Sequence, residues 1–112
     1  MSIPTVNVTV RFADQNGVPV PGATVVAKLT TIERYNGYVV PKEVRGETDL
    51  NGVAVIPVFP NQLGTEGSEY SFKITDNRTG KSVKVMATVP NNDCDLHQVA
   101  ELEPYALRGV GQ

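Results

Sequence analysis

The residues best equipped for chemistry lie close together near the C-terminal end: Asp93, Cys94, Asp95 and His97. A Cys and a His two residues apart suit zinc, but a structural zinc site takes four ligands and no second Cys/His pair exists in the chain. Nucleophilic catalysis needs a thiol or hydroxyl beside an activating base, with a third group to orient that base. His97 is the one histidine, and it shares a short segment with Cys94, so the two read as a solvated turn with a small, partly buried thiol. The expectation is therefore no catalytic residue, no metal and no cofactor.

Asp14, Asp49, Asp76, Asp93 and Asp95 could bind calcium in principle. None sits in the Asp-x-Asp-x-Asp-Gly run of a dedicated loop, and the better reading is that they form turns by bonding nearby backbone N–H groups. Asn7-Val8-Thr9 and Asn77-Arg78-Thr79 match the glycosylation acceptor pattern, but the first falls inside an expected strand and both read as chance.

The elements around these residues are short strands and tight turns. The chain has 112 residues, 40% of them hydrophobic, with ten Gly, eight Pro and no Trp, which suits one domain with one modest core. Ten basic and twelve acidic side chains give a net charge of −2, with the signs interspersed. No basic stripe of the kind that neutralises phosphates stands out, so nucleic acid is not an expected partner. The apolar runs are too short to span a membrane, and Met1-Ser2-Ile3-Pro4 does not read as a secretory leader. A single cysteine precludes an internal disulfide and fits folding in a reducing cytoplasm.

Val6, Val8, Val10 and Phe12 alternate with polar residues, as do Tyr70, Phe72 and Ile74, and Val83, Val85, Ala87 and Val89. Val25, Ala27 and Leu29 form a further inward row. The register puts Val8, Val10, Val25, Phe72, Ile74, Val85 and Ala87 in the core. Tyr35-Asn36-Gly37-Tyr38 predicts a two-residue hairpin within an otherwise irregular stretch from Thr30 to Val44. Pro21-Gly22 and Asn51-Gly52 predict turns with positive φ at each glycine. Gln62 to Glu69, with Gly64 and Gly67, reads as an adaptable loop, and residues 95–102 as at most a turn or two of helix.

These signals predict an all-β, antiparallel sandwich of about seven strands, immunoglobulin-like or transthyretin-like, over residues 1–90. Residues 91–112 read as an extended C-terminal arm. Leu102, Tyr105 and Leu107 on that arm could clamp onto the domain's own surface or anchor on another subunit. Gln62 and Glu69 bound the second expected partner-binding element, the loop.

Two resemblances add to this. Gly17-Val18-Pro19-Val20-Pro21-Gly22-Ala23-Thr24-Val25, followed by Thr48-Asp49-Leu50-Asn51-Gly52, resembles carboxypeptidase regulatory-like domains over residues 17–58. That likeness implies a transthyretin-like sandwich of the sort used as accessory modules in secreted and cell-surface proteins. Val58-Phe59-Pro60-Asn61, the Gly64–Gly67 loop, Tyr70-Ser71-Phe72-Lys73-Ile74 and Ala87-Thr88-Val89-Pro90 with the polar residues after it are similar to small domains of tailed-bacteriophage virion proteins. Phe59 stands where that group usually carries Trp, and the chain has no fibre shaft or receptor-binding tip.

The resemblance implies a non-enzymatic structural subunit, located on the virion and made in the host cytoplasm. It would be a tail or fibre-base adaptor or a surface-decoration protein, with tail, fibre or capsid proteins, or further copies of itself, as partners. The alternative is a bacterial cell-surface accessory module or a carbohydrate-binding sandwich; exposed aromatics along a groove would favour the latter, and Trp is absent.

Overall fold

A computed structural model describes residues 3–101. The clean alternation of the first segment produces β1 (Val6–Arg11), with Val6, Val8 and Val10 buried. It is followed by β2 (Thr24–Leu29), β3 (Arg34–Tyr35), β4 (Tyr38–Val39), β5 (Glu43–Glu47) and β6 (Val53–Val58). A 3-10 turn at Asn61–Leu63 leads to β7 (Tyr70–Thr75), β8 (Ser82–Ala87), β9 (Cys94–Asp95) and a single turn of helix, α1 (Leu96–Val99). The fold is all-β.

The strands form two main sheets, ordered β6-β1-β9 and β5-β2-β7-β8, and β3 with β4 makes a separate two-stranded ribbon. All pairings are antiparallel except β1 with β9. Alternate residues of β1 and β6 join alternate residues of β2 and β7 in one buried cluster, so the two sheets share a core. Val8, Val10, Val25, Phe72, Ile74 and Ala87 are buried as expected. Val85 packs against the cluster but is only half-buried, and Val83 is 48% exposed, because β8 is an edge strand whose start has no layer over it.

Residues 91–101, the described part of the expected arm, contact the sheets. Asp93 accepts a hydrogen bond from the Asn7 N–H at 2.8 Å, Cys94 and Asp95 pair with Val8 and Thr9, and Leu96 is buried in the core. Ala100 then bridges Ala87, and the Glu101 N–H donates to the Met86 carbonyl at 2.8 Å. A two-residue strand is too short to show a period, which is why these residues read as leaving the domain.

Three turns between strands are built the same way. Asp14 Oδ1 accepts from the Asn16 and Val18 N–H groups, Asp49 Oδ1 from those of Asn51 and Val53, and Asp76 Oδ1 from that of Arg78. The aspartates are thus turn-formers, as their spacing to Asn-Gly and Thr-Gly suggests. Asn36 (φ 48°) and Gly37 (φ 84°) make the tight turn between β3 and β4.

The two turn motifs of the first resemblance meet in space. The Thr48 hydroxyl accepts from the Ala23 N–H at 2.8 Å and donates to the Val20 carbonyl at 2.6 Å, buried between the sheets' ends. Beside it, the Phe12 N–H donates to Gly52, and the Val20 N–H to Phe12. Gly52 has φ +74°, and a Cβ there would come within 2.6 Å of the Phe12 carbonyl oxygen. Gly22 has a similar φ of +70° but open space around it.

The two glycines therefore separate strain from crowding. Gly22→Ala should cost about 1 kcal/mol from backbone strain alone. Gly52→Val should cost about 3 kcal/mol, because strain is joined by displacement of the Phe12 carbonyl. Urea melts of both variants check this; equal losses would show that the close approach at Gly52 does not matter.

Candidate functional site

One end of the molecule is assembled around a buried charge. Glu33 follows β2 in a stretch with no strand pattern, yet its side chain is fully buried. Its carboxylate accepts hydrogen bonds from the N–H groups of Thr65 (3.2 Å), Glu66 (3.3 Å) and Ser68 (3.3 Å), and from the Ser68 hydroxyl at 2.5 Å. Four donors around one carboxylate satisfy most of its lone pairs and make its burial tolerable. A Cβ on Gly64 would collide with the Glu33 carboxylate, so only glycine leaves room for it.

The network continues inward. The Asn61 amide donates to the Ser68 hydroxyl at 2.9 Å, and its carbonyl oxygen accepts from the Val89 N–H at 2.8 Å. Tyr70, fully buried, accepts from the Phe59 N–H at 3.1 Å through its hydroxyl. Phe59, Asn61, the 64–68 loop and Val89 are thereby locked into one polar cluster. These are the segments on which the likeness to virion domains rests, and they converge although up to 30 residues separate Phe59 from Val89.

Burial pushes the Glu33 carboxyl pKa up, but the Ser68 hydroxyl and the Ser68, Thr65 and Glu66 N–H groups together outweigh it, leaving the pKa below the ordinary 4.5. Burial also raises the Tyr70 hydroxyl, partly countered by the Phe59 N–H and reinforced by the Glu33 charge.

The same cluster fixes the β3–β4 ribbon. The Val40 N–H donates to the Glu33 carbonyl at 2.9 Å, Val40 is buried, and Tyr35 meets Phe59 edge-on with ring centroids 5.8 Å apart. Beyond this anchored base, Ile32 (60%), Tyr38 (46%) and Val39 (68%) stand exposed. The ribbon thus presents apolar side chains from a rigid footing.

Gln62 and Glu69, which bound the loop expected to meet a partner, lie at this end and are hydrogen-bonded to neighbouring segments. Gln62 accepts from the Asn91 N–H at 3.0 Å, and the Glu69 carboxylate from the Thr88 hydroxyl at 3.2 Å. The Glu69 N–H also donates to the Thr30 hydroxyl at 3.0 Å. Both residues pin the loop to its neighbours. Leu102, Tyr105 and Leu107 fall outside the described residues.

The cluster at Cys94 does not assemble into a reactive centre. Asp93 holds the Asn7 backbone, Asp95 lies 3.8 Å from Arg11 and forms a capping box with Gln98, and His97 is exposed on α1. Burial raises the Cys94 thiol pKa, and the Asp95 and Asp93 charges raise it further, which disfavours the reactive thiolate.

The sequence carries no mark of Glu33 as the centre of this end, since its partners lie 32 to 35 residues away. Compared with known proteins, the chain matches no family model and no curated protein.

The folded-state pKa of Glu33 lies below its unfolded value near 4.5, so its contribution to stability is complete above pH 4.5 and is lost as pH falls through the folded pKa. Glu33→Gln, which turns an amide towards donors, should cost about 2–3 kcal/mol at pH 7. It should also flatten the acid limb of a stability-against-pH curve from urea melts. Asp76, whose pKa the Arg78 side chain lowers, leaves a residual slope of the same sign. An unchanged acid limb would contradict this role.

Proposed function

We propose that this chain is a non-enzymatic structural subunit of a tailed-phage virion, a fibre-base or tail adaptor or a decoration protein, that docks through the Glu33-centred end. The observation that carries the reading is the convergence there of Phe59-Pro60-Asn61, the Gly64–Gly67 loop and Val89-Pro90 around one buried polar network. Residues resembling a virion-domain signature act together, as parts of one device would. Beside them the ribbon offers Tyr38 and Val39, with Ile32 just before it, and partner surfaces favour exposed aromatic and aliphatic side chains on a preorganised base.

The polar residues of the types that catalysis uses have architectural work instead. Glu33 holds a loop, Thr48 joins two turn motifs, and Asp14, Asp49, Asp76 and Asp93 bond backbone N–H groups. This favours assembly over chemistry.

For the fold type, strand order favours the transthyretin-like reading. In an immunoglobulin domain the first two strands pair in one sheet. Here β1 and β2 lie in different sheets, and β1 instead sits between β6 and β9. The likeness over residues 17–58 points the same way, because Thr48 physically joins its two motifs.

Phage particles from a strain encoding the chain, purified through a density gradient, should contain it by mass spectrometry. Tyr38→Ser with Val39→Asp should reduce its occupancy on particles by about tenfold, the scale of a lost central contact, while the melt of the free protein stays unchanged. Absence of the wild-type chain from purified particles would refute the virion reading. Unchanged occupancy of the variant would move the contact away from the ribbon.

A further inference from the structure

The outer face of the β5-β2-β7-β8 sheet gathers cations that the sequence scatters. The register aligns Arg45, Val26, Lys73 and Lys84 in one row across the four strands. Lys28 lies on the same face of β2, two residues from Val26 and opposite Glu43 of β5. Arg45 is paired with Glu43 at 2.8 Å, and Glu47 shares that β5 margin. Among the described residues, Lys28, Lys73 and Lys84 take part in no ion pair.

Lys73 and Lys84 sit directly opposite each other on neighbouring strands, an arrangement that repels. The whole chain carries a net charge of −2, yet the face over β7 and β8 carries Lys73 and Lys84 with no carboxylate among its lining residues there, Glu43 lying across β2 on β5. An external anion would relieve the repulsion.

The surface says which kind of anion. The cations line a shallow trough of about 630 Å³, with hydroxyls from Thr24, Ser71, Thr75 and Ser82 between them and one carboxylate, Glu43, at the β5 side where it pairs with Arg45. An open trough across four strands, about 14 Å wide at ordinary strand spacing, suits a polymer better than a small molecule, which would want enclosure. No aromatic ring lies on it, so it lacks the platforms on which single-stranded nucleic acid stacks its bases. It is a sheet face rather than a sheet edge, and it has no apolar pockets, so an acidic peptide would gain neither strand pairing nor side-chain anchors. Ammonium groups interleaved with hydroxyls match a polymer that is both anionic and rich in hydroxyls.

We propose that this face binds an acidic polysaccharide, one whose carboxylates or sulfates meet Lys28, Lys73 and Lys84 while its hydroxyls bond the Ser and Thr side chains. The site is separate from the Glu33-centred end and does not depend on the assembly reading.

The test is calorimetric titration of the full chain with polygalacturonate, dextran sulfate, neutral dextran, polyglutamate and oligothymidylate. Binding is expected to one or both acidic polysaccharides, and polygalacturonate against dextran sulfate tells carboxylate from sulfate recognition. It should weaken as sodium chloride rises from about 0.05 to 0.5 M, as contacts between exposed charges do. Lys73→Glu with Lys84→Glu should lower affinity by at least about tenfold. Lys73→Gln with Lys84→Gln, which removes the repulsion without adding charge, should fold and show a smaller loss. No binding to either acidic polysaccharide at low salt overturns the proposal, as does unchanged affinity in the Gln pair. Equally tight binding of polyglutamate or oligothymidylate also overturns it, since charge alone would then explain the attraction.

Discussion

A carboxylate removed from water must be surrounded by donors, and in this protein that constraint shapes a whole end of the molecule. Glu33 is buried, so the chain from Gly64 to Ser68 has to turn its N–H groups towards one point. Gly64 must lack a side chain, Ser68 must carry a hydroxyl, and Asn61 must hold that hydroxyl from behind while receiving the Val89 N–H. Each requirement follows from the one before it. What results is a loop held by side-chain and backbone hydrogen bonds, though it has no strand's pairing.

The opposite end solves a related problem with smaller parts. Turns leave backbone N–H groups unpaired, and Asp14, Asp49 and Asp76 supply acceptors from within each turn. Thr48 does the same between turns, giving and receiving one hydrogen bond at a buried site. The core between the two ends is built mainly of Val and Ala, with Tyr70, Phe59 and Phe72 as its largest side chains. A core of such modest side chains leaves much of the specificity of the fold to polar contacts, which tolerate only one arrangement of their donors and acceptors.

What was legible in the sequence follows from the range of the interaction that encodes it. Alternation at Val6–Val10 and Tyr70–Ile74, the Asn36-Gly37 turn and the positive φ at Gly22 and Gly52 are local, and each appeared where the residues indicated. Glu33 was not legible, because its donors lie 32 to 35 residues away and nothing near it marks burial. The loop from Gln62 to Glu69 read as adaptable for the same reason: its glycines suggest freedom, and the charge that removes the freedom is elsewhere. β9 escaped notice because two residues have no period, and the cation row because it runs across strands, where neighbours in space are distant in sequence.

The pairing of a rigid base with exposed apolar side chains has an energetic logic. Ile32 adjoins Glu33, and Tyr38 and Val39 extend from a ribbon whose foot is held by the Glu33 carbonyl and by Tyr35 against Phe59. Exposed apolar groups on a loose hairpin would have to be ordered on binding, at about 0.5–1.5 kcal/mol for each rotamer-rich side chain immobilised. Here the backbone beneath them is already fixed during folding by the buried carboxylate. The desolvation of Glu33, unfavourable for stability on its own, is thus coupled to a surface that loses little further freedom when it meets a partner.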